Sequence, residues 1–418
     1  MQIGAALLNS ATLALEQILP MRHPADAVLR EYFQQNPQLG GRDRSFVAET
    51  VFCVIRHKRL LEHLLEHPSP RKLALGALIK IQGIGLGQLD VLLQPEDKDW
   101  AVRLKATDIE ALDAATRLSL PDWLYQRLST QTSEVNTTEF GRAMLNPAPL
   151  DLRVNTLVMS REKVLAELLK GGFDARATAL SPIGIRMAGK PAVNRHPLFL
   201  QGAVEVQDEG SQLLGFLVAP KRREMVADFC AGAGGKTLMM GAMMHSQGRL
   251  YALDISAKRL NNLRLRLKRS GLSNVHPEYI ESENDTKIKR LAGKIDRVLV
   301  DSPCSGLGTL RRNPDLKWRQ SPESVAELAT KQRSILNAAA RLPKPGGRLV
   351  YATCSVLQEE NQQIVNDFLA THDDFKLMNA GEVLDDSRIP LECGKFFELR
   401  PQTHGTDGFF AAVLEKDT

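Results

Sequence analysis

The spacing of apolar residues divides the chain into a helical first third and later segments that contain strands. Between positions 1 and 142, Val47, Val51 and Ile55 recur at the spacing of one helix face. The segments "SPRKL" and "SLPDWLYQRL" are typical of helix starts, because a serine stands ahead of proline or charged residues. We therefore predict a helical domain over residues 1–142.

The pattern changes at residues 144–157, "MLNPAPLDLRVNTL". The prolines disfavour a helix, and "LDLRVNTL" alternates between apolar and polar positions as a strand does. A helix, "SREKVLAELLKGG", and two short strand candidates, "DARATAL" and "GIRMAG", follow. This mixture predicts a small α+β domain over residues 143–219.

From residue 220 to residue 418, strand patterns alternate with helix patterns. The predicted strands are "EMVADFC", "GRLYALDI", "HPEYIE", "IDRVLVD", "GRLVYATCS" and "DGFFAAVLEK". Such alternation indicates an α/β fold with a doubly wound, mostly parallel sheet, on which ligands bind outside the carboxyl ends of the strands. Asp228, Asp254, Asp301 and Cys354 all stand at those ends.

The composition is that of a soluble globular protein: 418 residues, 43% of them hydrophobic and 25% charged. The sequence has no run of eighteen apolar residues, so we expect no membrane span. The first twenty residues lack a basic start and include Glu16, so they predict a helix rather than an export signal. The five cysteines are widely spaced without a CxxC pair, which disfavours disulfides and a metal site and favours the cytoplasm.

The net charge of +5 favours an acidic partner such as nucleic acid. The predicted helix over 256–270 is rich in Lys and Arg and is either a solvated face or part of an RNA-binding surface. After the fourth strand, Arg311 and Arg312 are candidates for phosphate contacts. Trp318 either stacks on a base or packs between a loop and the sheet.

The segment "VADFCAGAGGKTL", residues 226–238, has the features of a cofactor loop. A P-loop needs glycine at the position of Cys230, and a dinucleotide fingerprint needs glycine at the position of Thr237. The small residues from 231 to 235 still let the backbone approach a ligand closely. Asp254 then either accepts the ribose hydroxyls of a cofactor such as NAD or S-adenosylmethionine, or caps the helix after it.

Two cysteines follow predicted strands in the second half of the chain. Cys304 stands on the turn after Asp301, and Cys354 ends a later strand. A lone cysteine is more often a core residue, but two at neighbouring strand ends beside an acid favour a function. A thiolate that adds to carbon-6 of a pyrimidine makes carbon-5 nucleophilic enough to accept a methyl group. Lys236 can favour the thiolate or orient the base, and Asp301 can bind the cytosine edge.

Five ordered motifs resemble those of the Nop/Sun family of RNA cytosine-5 methyltransferases, and are most similar to its bacterial Sun/Fmu branch. They are "DFCAGAGGKT", "ALDIS", "VLVDSPCSGLGTLRRNPDLKW", "YATCSVLQEEN" and "DGFF". The resemblance implies a Rossmann-like class I methyltransferase domain over 220–418, with S-adenosylmethionine as cofactor and RNA, expected to be 16S ribosomal RNA, as substrate. It also implies that 143–219 is an RNA-binding segment ahead of the catalytic domain.

The same resemblance makes Cys354 the nucleophile and Cys304 the residue that assists product release, with Asp301 and Lys236 in the catalytic site. The implied cofactor contacts are Cys230, Ala231, Gly232, Ala233, Gly234, Gly235, Lys236, Asp254, Asp285 and Asp301. Asn284 can replace Asp285 in this set, because "SENDTK" can be aligned one residue earlier. The family usually has proline where this chain has Ala233. "GRDRSFVAETVFCVIRHKRLL" is similar to part of a NusB-like RNA-binding domain, although the region is short for a complete copy.

Three different functions stay open at this point. The first is DNA methylation, since DNA cytosine-5 methyltransferases use the cysteine of the Pro-Cys pair, here Cys304. However, only about fifty residues separate "TCS" from "DGFF", too few for a target-recognition insertion. The second is methylation of transfer RNA, and the third is RNA binding by a non-catalytic module on the same fold. The joint presence of Lys236, both thiols and the acids argues against a non-catalytic module.

Overall fold

The computed structural model describes residues 3–65 and 67–418. The chain forms two compact units. The first unit consists of Met1–Pro147 together with Thr309–Pro322, and the second consists of Ala148–Gly308 together with Glu323–Thr418. The short segment of the first unit therefore lies between two parts of the second along the chain.

The first unit is helical in its described part. Its helices are α1 (Ala5–Ile18), α2 (Ala25–Gln35), α3 (Gly41–Arg56), α4 (Lys58–Leu64), α5 (Pro70–Gly76), α6 (Leu86–Leu89), α7 (Pro95–Ala106), α8 (Ala114–Arg117), α9 (Asp122–Gln131) and α10 (Glu134–Met144). A π-helical turn, Ala77–Ile81, extends α5. The two predicted starts are confirmed: α5 begins at Pro70, where the Ser69 hydroxyl accepts the Lys72 N–H, and α9 begins at Asp122. The apolar faces of α1 to α7 thus bury one continuous core.

Residues 309–322 pack into this helical unit. They contain a short helix, α17 (Leu316–Arg319). The indole N–H of Trp318 donates to the carbonyl oxygen of Ile55 at 2.8 Å, and the ring packs on the helical core. The buried Lys317 ammonium donates to the carbonyl oxygen of Arg56 at 2.8 Å. Trp318 thus packs on the helical core, and not between a loop and the sheet as one of the two interpretations of the sequence had it.

The second unit begins with a small antiparallel sheet of strand order β2-β3-β1-β4. Its strands are β1 (Leu150–Val154), β2 (Ala175–Ala177), β3 (Gly184–Met187) and β4 (Val204–Val206). Two helices, α11 (Arg161–Lys170) and α12 (Pro197–Leu200), accompany the sheet. Their apolar faces and the strands bury a core of their own. The predicted α+β character of this region is confirmed.

A larger sheet of eight strands forms the rest of the second unit. Along its main path the order is β10-β12-β9-β8-β5-β6-β7, and β11 pairs with β12. The strands are β5 (Met225–Asp228), β6 (Arg249–Asp254), β7 (Val275–Tyr279), β8 (Ile295–Asp301), β9 (Pro343–Thr353), β10 (Phe375–Leu377), β11 (Phe396–Leu399) and β12 (Phe409–Lys416). The pairs among β5 to β9 are parallel and those of β12 are antiparallel.

Helices separate these strands along the chain. They are α13 (Glu209–Val218), α14 (Gly235–Met243), α15 (Ala257–Ser270), α16 (Thr286–Arg290), α18 (Pro322–Ala339), α19 (Gln362–Leu369), α20 (Ala380–Asp385) and α21 (Pro401–His404). The strands contribute to two large apolar clusters. The predicted α/β fold is confirmed. In the part of the chain that the structure describes, no helix combines the length and apolarity needed to cross a bilayer.

Candidate active site

The predicted site residues meet at one edge of the large sheet. Strands β9, β8, β5 and β6 are neighbours in that order, and they run parallel. Their carboxyl ends place Cys354, Asp301, Asp228 and Asp254 in a row, because Cys354 directly follows β9 and the three aspartates end the other strands. The order of strands in the sheet, which differs from their order in the sequence, creates this row.

The loop between β5 and α14 has a backbone that requires glycine at two positions. Gly232 has a φ angle of 55° and Gly234 one of 84°, which side-chain-bearing residues rarely adopt. The N–H of Gly232 donates to the Asp254 carboxylate at 2.8 Å. A Cβ atom on Gly234 would lie 2.1 Å from the Leu263 side chain, whereas one on Gly232 would meet no protein atom within 4 Å. The loop therefore packs closely on one side and is open at Gly232.

Asp254 connects this loop to the start of α15. One carboxylate oxygen accepts the Gly232 N–H, and the other accepts the Ser256 N–H at 2.7 Å. The cap of α15 is Ser256, whose hydroxyl accepts the Arg259 N–H, so Asp254 holds the turn ahead of the helix and does not cap it. The contact of Asp254 with ribose hydroxyls stays a prediction. A carboxylate oxygen accepts more than one hydrogen bond, so these contacts leave room for ribose hydroxyls.

Asp228 is buried below the loop and has one oxygen without a partner. The Thr237 hydroxyl donates to its Oδ2 atom at 2.6 Å, while Oδ1 is buried without a hydrogen bond. Burial raises the pKa of Asp228 to about 7, against the hydrogen bond from Thr237, which lowers the pKa. An orphaned buried oxygen beside an open glycine turn fits a polar group of a cofactor at this position.

Lys236 and Asp301 form an ion pair next to the cysteines. The Lys236 ammonium lies 2.7 Å from the Asp301 carboxylate. Burial by itself lowers the pKa of Lys236, but the charge of Asp301 and its hydrogen bond outweigh burial and raise the pKa. Lys236 thus keeps its positive charge close to Cys354.

The two thiols are direct neighbours. The Sγ atoms of Cys304 and Cys354 lie 3.4 Å apart, although 50 residues separate them in the chain. The hydrogen bond to Cys354, burial, and the negative charges of Cys354 and Glu360 raise the pKa of Cys304 well above its ordinary value. Cys304 is therefore held as a protonated thiol that can donate to Cys354.

Glu360 holds the loops that carry both cysteines, a role that the sequence analysis missed. Its carboxylate is fully buried and accepts the N–H of Ser305 at 2.8 Å and the amide of Gln332 at 3.0 Å. It also accepts both serine hydroxyls, from Ser305 at 2.5 Å and from Ser355. Gln332 in turn donates to the carbonyl oxygen of Pro303 at 2.9 Å. The only signal in the sequence is the "EEN" segment of the fourth motif, which contains Glu360. No rule of residue spacing connects Glu360 to Cys304.

Two predicted cofactor contacts have other partners within the protein. Asp285 caps α16, where its carboxylate accepts the N–H groups of Lys287 at 2.8 Å and Glu281 at 3.0 Å. These backbone hydrogen bonds lower the pKa of Asp285. Asn284 is exposed. Cys230, at the start of the loop, packs against one of the two large cores, and burial raises the pKa of its thiol.

The basic residues of α15 divide into two groups. Arg266 and Arg269 both pair with Glu205 of β4, whereas Lys258, Arg259, Arg264 and Lys268 are exposed. In the 309–322 segment, the carbonyl oxygen of Arg311 accepts a hydrogen bond from Arg56. Among residues 3–65 and 67–418, no three His, Cys, Asp or Glu side chains are grouped to hold a metal ion.

Known proteins resemble the chain over both its sequence and its fold. The family described as 16S rRNA methyltransferase RsmB/F matches residues 215–415. The ferredoxin-like domain of RsmF/B-like methyltransferases matches residues 120–194. The crystal structure of PH0851 has a TM-score of 0.81 at 25% identity and covers 100% of each chain. A methyltransferase homolog protein from Pyrococcus horikoshii has a TM-score of 0.63 at 28% identity, over 74% of this chain and 100% of that one.

Two curated relatives extend along almost the whole chain. The probable ribosomal RNA small subunit methyltransferase B of Synechocystis sp. is 33% identical over 97% of this chain and 98% of its own length. The ribosomal RNA small subunit methyltransferase B of Photorhabdus laumondii is 35% identical over 96% of this chain and 97% of its own. Together with the matched family, these relatives show that the chain is an RNA methyltransferase and belongs to the RsmB/F family.

Proposed function

We propose that the protein transfers a methyl group from S-adenosylmethionine to carbon-5 of a cytosine in 16S ribosomal RNA. The observation that carries this proposal is the pair of thiols, Cys304 and Cys354, 3.4 Å apart beside the Lys236–Asp301 ion pair. Carbon-5 of cytosine is a weak nucleophile, so methylation there needs a covalent activator, and a thiol is suited to that task. The names of the curated relatives favour ribosomal RNA of the small subunit as the substrate.

We assign S-adenosylmethionine to the loop from Cys230 to Lys236, with Asp254, Asp285 and Asp301. The open side of Gly232 and the orphaned oxygen of Asp228 support this assignment. Asp254 is placed to accept ribose hydroxyls from the end of β6. When bound, the cofactor supplies an electrophilic methyl group. The chain's own contribution is to bring the cytosine to that methyl group in an activated form.

Activation begins when the Cys354 thiolate bonds to carbon-6 of the cytosine. The electron pair of the bond between carbon-5 and carbon-6 then becomes available at carbon-5, which takes the methyl group. Asp301 accepts a hydrogen bond from the cytosine edge and aligns the ring, and Lys236 holds Asp301 in place. A water molecule then takes the carbon-5 proton. The electron pair of that C–H bond restores the double bond, and the bond between carbon-6 and sulfur breaks with its electron pair returning to Cys354. The target base must leave its stack to reach this site.

The different surroundings of the two cysteines support their different roles. Cys304 is held protonated by its hydrogen bond and by the nearby negative charges, so it can donate a hydrogen bond to the Cys354 sulfur as that sulfur leaves carbon-6 with the electron pair of the bond. Cys354 directly follows β9, and the positive charge of Lys236 lies close to it. We therefore assign the nucleophile to Cys354 and the assisting role to Cys304.

We assign RNA binding outside the catalytic site to two regions. The first is the NusB-like helical region over 1–142, and the second is the α+β region over 143–219. The resemblance of these regions to RNA-binding segments of the family supports both assignments. Both regions fold around apolar cores that leave many basic side chains at the surface.

The test is methyl transfer from labelled S-adenosylmethionine to 16S ribosomal RNA, transfer RNA and duplex DNA, each from a strain that lacks this protein. We expect label in 16S ribosomal RNA, recovered as 5-methylcytidine after digestion to nucleosides and located by bisulfite sequencing. Label in transfer RNA alone would refute the ribosomal substrate and leave the chemistry intact. Label on another atom, or no label in any RNA, would refute the proposed reaction.

A further inference from the structure

Arg266 of α15 reaches the glycine loop from outside the site. Its Nη1 group donates to the carbonyl oxygen of Ala233 at 2.7 Å. Its Nη2 group donates to the Glu205 carboxylate at 2.9 Å. One guanidinium therefore connects the loop to β4 of the small sheet. Charge-assisted hydrogen bonds of this kind are stronger than neutral ones and fix geometry through the planar fork.

Glu205 is a buried anchor for this connection. Its side chain is only 5% exposed, and it pairs with both Arg266 and Arg269. On the paired strand, Arg153 stands opposite Glu205 in the sheet register. The Arg153 guanidinium donates to the carbonyl oxygen of Gly235, the first residue of α14. Two arginines fixed by the small sheet thus hold two carbonyl groups of the loop.

The loop between those two carbonyl groups has few constraints of its own. Gly232 and Gly234 are the residues with the most backbone freedom, and both have positive φ angles. Among the described residues, the Ala233 N–H has no hydrogen-bond acceptor, and its φ angle is not positive. A proline at position 233 would therefore remove no hydrogen bond shown here and would restrict the loop.

We propose that Arg266, held by Glu205, is a positioning residue that keeps the glycine loop in the shape that binds the cofactor. The inference rests on the proposed function in one respect, the assignment of S-adenosylmethionine to this loop. Without the Arg266 contact, the Ala233–Gly234 segment samples other conformations. A ligand then binds only the fraction of molecules with the correct loop, so its apparent affinity falls in proportion.

The experiment compares Arg266→Gln with Arg269→Gln in the full chain. Both substitutions remove an ion pair with Glu205, but of these two arginines Arg266 is the one that donates a hydrogen bond to the loop. Arg269 also stacks on Phe199, with 3.9 Å between its guanidinium carbon and the ring centroid, so its loss should cost at least as much thermal stability. A difference in cofactor affinity between the two variants therefore reports on the loop contact and not on stability.

We expect Arg266→Gln to weaken binding of S-adenosylhomocysteine, measured by calorimetry, by about tenfold, which corresponds to about 1.4 kcal/mol. Arg269→Gln should stay within about twofold of the unsubstituted protein. Ala233→Pro, added to Arg266→Gln, should restore most of the affinity, because it limits the loop by another route. In turnover, KM for the cofactor should rise while KM for RNA stays constant.

Hydrogen exchange of the amides of residues 231–235, measured without any ligand, gives a second readout. We expect faster exchange in Arg266→Gln than in Arg269→Gln. Equal exchange and equal affinity in the two variants would overturn the positioning role. Failure of the unsubstituted protein to bind S-adenosylhomocysteine would instead refute the cofactor assignment, and the exchange rates would still decide whether Arg266 orders the loop.

Discussion

The buried carboxylate of Glu360 accepts the backbone N–H of Ser305 at 2.8 Å, and Ser305 directly follows Cys304. The same carboxylate accepts the hydroxyl of Ser355, which directly follows Cys354. One acid therefore fixes both thiol-bearing loops, whose cysteines are 50 positions apart in the chain. The relative position of the two sulfur atoms therefore depends on Glu360, although Glu360 forms no hydrogen bond with either sulfur.

We predict that Glu360→Ala lowers kcat roughly 10- to 100-fold, because a small displacement of reacting groups costs about that much. The variant also leaves the Ser305 N–H and the Gln332 amide without their buried acceptor, so its free energy of unfolding should fall by about 1–3 kcal/mol. Glu360→Gln should be milder, since its oxygen accepts the same N–H groups and the serine hydroxyls can rotate to accept from its amide. The control is Glu382→Ala, at an exposed position of α20. Full activity of folded Glu360→Ala would contradict the positioning role.

The two thiols should give opposite trapping results. With RNA that contains 5-fluorocytosine at the target, the unsubstituted protein should be trapped covalently, because fluorine cannot leave carbon-5 as a proton, whereas Cys354→Ala should lose both turnover and this complex, because the bond to carbon-6 does not form. With RNA that contains ordinary cytosine, Cys304→Ala should accumulate a protein–RNA adduct, visible as a shifted band on a denaturing gel, because release from Cys354 is slowed. The matched control is Cys393→Ala, a partly buried cysteine outside the site. An adduct in Cys354→Ala and none in Cys304→Ala would reverse the two assignments.

The two positive-φ glycines of the loop should respond differently to alanine. Gly234→Ala places a Cβ atom 2.1 Å from Leu263, so we expect a stability loss of roughly 1–3 kcal/mol from overpacking together with backbone strain. Gly232→Ala meets no protein atom within 4 Å, so its cost should be about 1–2 kcal/mol from the left-handed conformation alone. The methyl group of Gly232→Ala extends to the open side, however. Affinity for S-adenosylhomocysteine should therefore fall at least about fivefold in Gly232→Ala, although this variant loses less stability than Gly234→Ala. Unchanged affinity in Gly232→Ala would place the cofactor elsewhere.

The sequence predicted local features well and contacts between distant segments poorly. Asp228, Asp254, Asp301 and Cys354 were identified because each follows an apolar strand, and strand ends are visible in the pattern of residues. The sequence did not predict the hydrogen bonds of Glu360, the bond from Arg266 to Ala233, or the bond from Trp318 to Ile55. These contacts join residues 5 to 263 positions apart. Such contacts depend on strand order and domain packing, which periodicity does not encode. Asp285 illustrates the same limit, since its role as the cap of α16 was not predicted from the sequence.

The buried Asp228 should make stability depend on pH near neutrality. Its pKa is raised from 3.8 to about 7 in the folded protein, chiefly by burial. Between those values the folded state keeps a proton that the unfolded state has lost, so stability falls as pH rises from about 4 to 7 and is level above that. Asp228→Asn removes this effect. The melting temperature of Asp228→Asn minus that of the unsubstituted protein should therefore be more positive at pH 8 than at pH 5.

The control for this measurement is Asp296→Asn. Burial opposes the shift at Asp296, but the hydrogen bonds from Lys344 and Met225 outweigh it and lower the pKa. The stabilisation that Asp296 contributes is thus fully present above the pKa of the unfolded state. It is lost only in acid, as the pH falls through the lowered pKa of the folded state. Its substitution should give the same difference in melting temperature at pH 5 and pH 8. A similar absence of pH dependence in Asp228→Asn would show that Asp228 is ionised throughout this range.

The exposed basic residues at the start of α15 should contribute to the salt dependence of RNA binding. Lys258 and Arg259 are exposed in the first turn of α15, which follows the carboxyl end of β6. Each phosphate contact adds about 0.7–0.9 to the slope of log K against log salt. The double variant Lys258→Gln/Arg259→Gln should therefore lower that slope by roughly 1.5 and weaken binding to target and non-target RNA alike. The matched control, Lys289→Gln/Lys294→Gln, removes two exposed charges just before β8, at the opposite ends of the parallel strands, and should leave the slope unchanged. Equal slopes in all three proteins, measured by filter binding from 50 to 200 mM salt, would exclude the first turn of α15 from the RNA-binding surface.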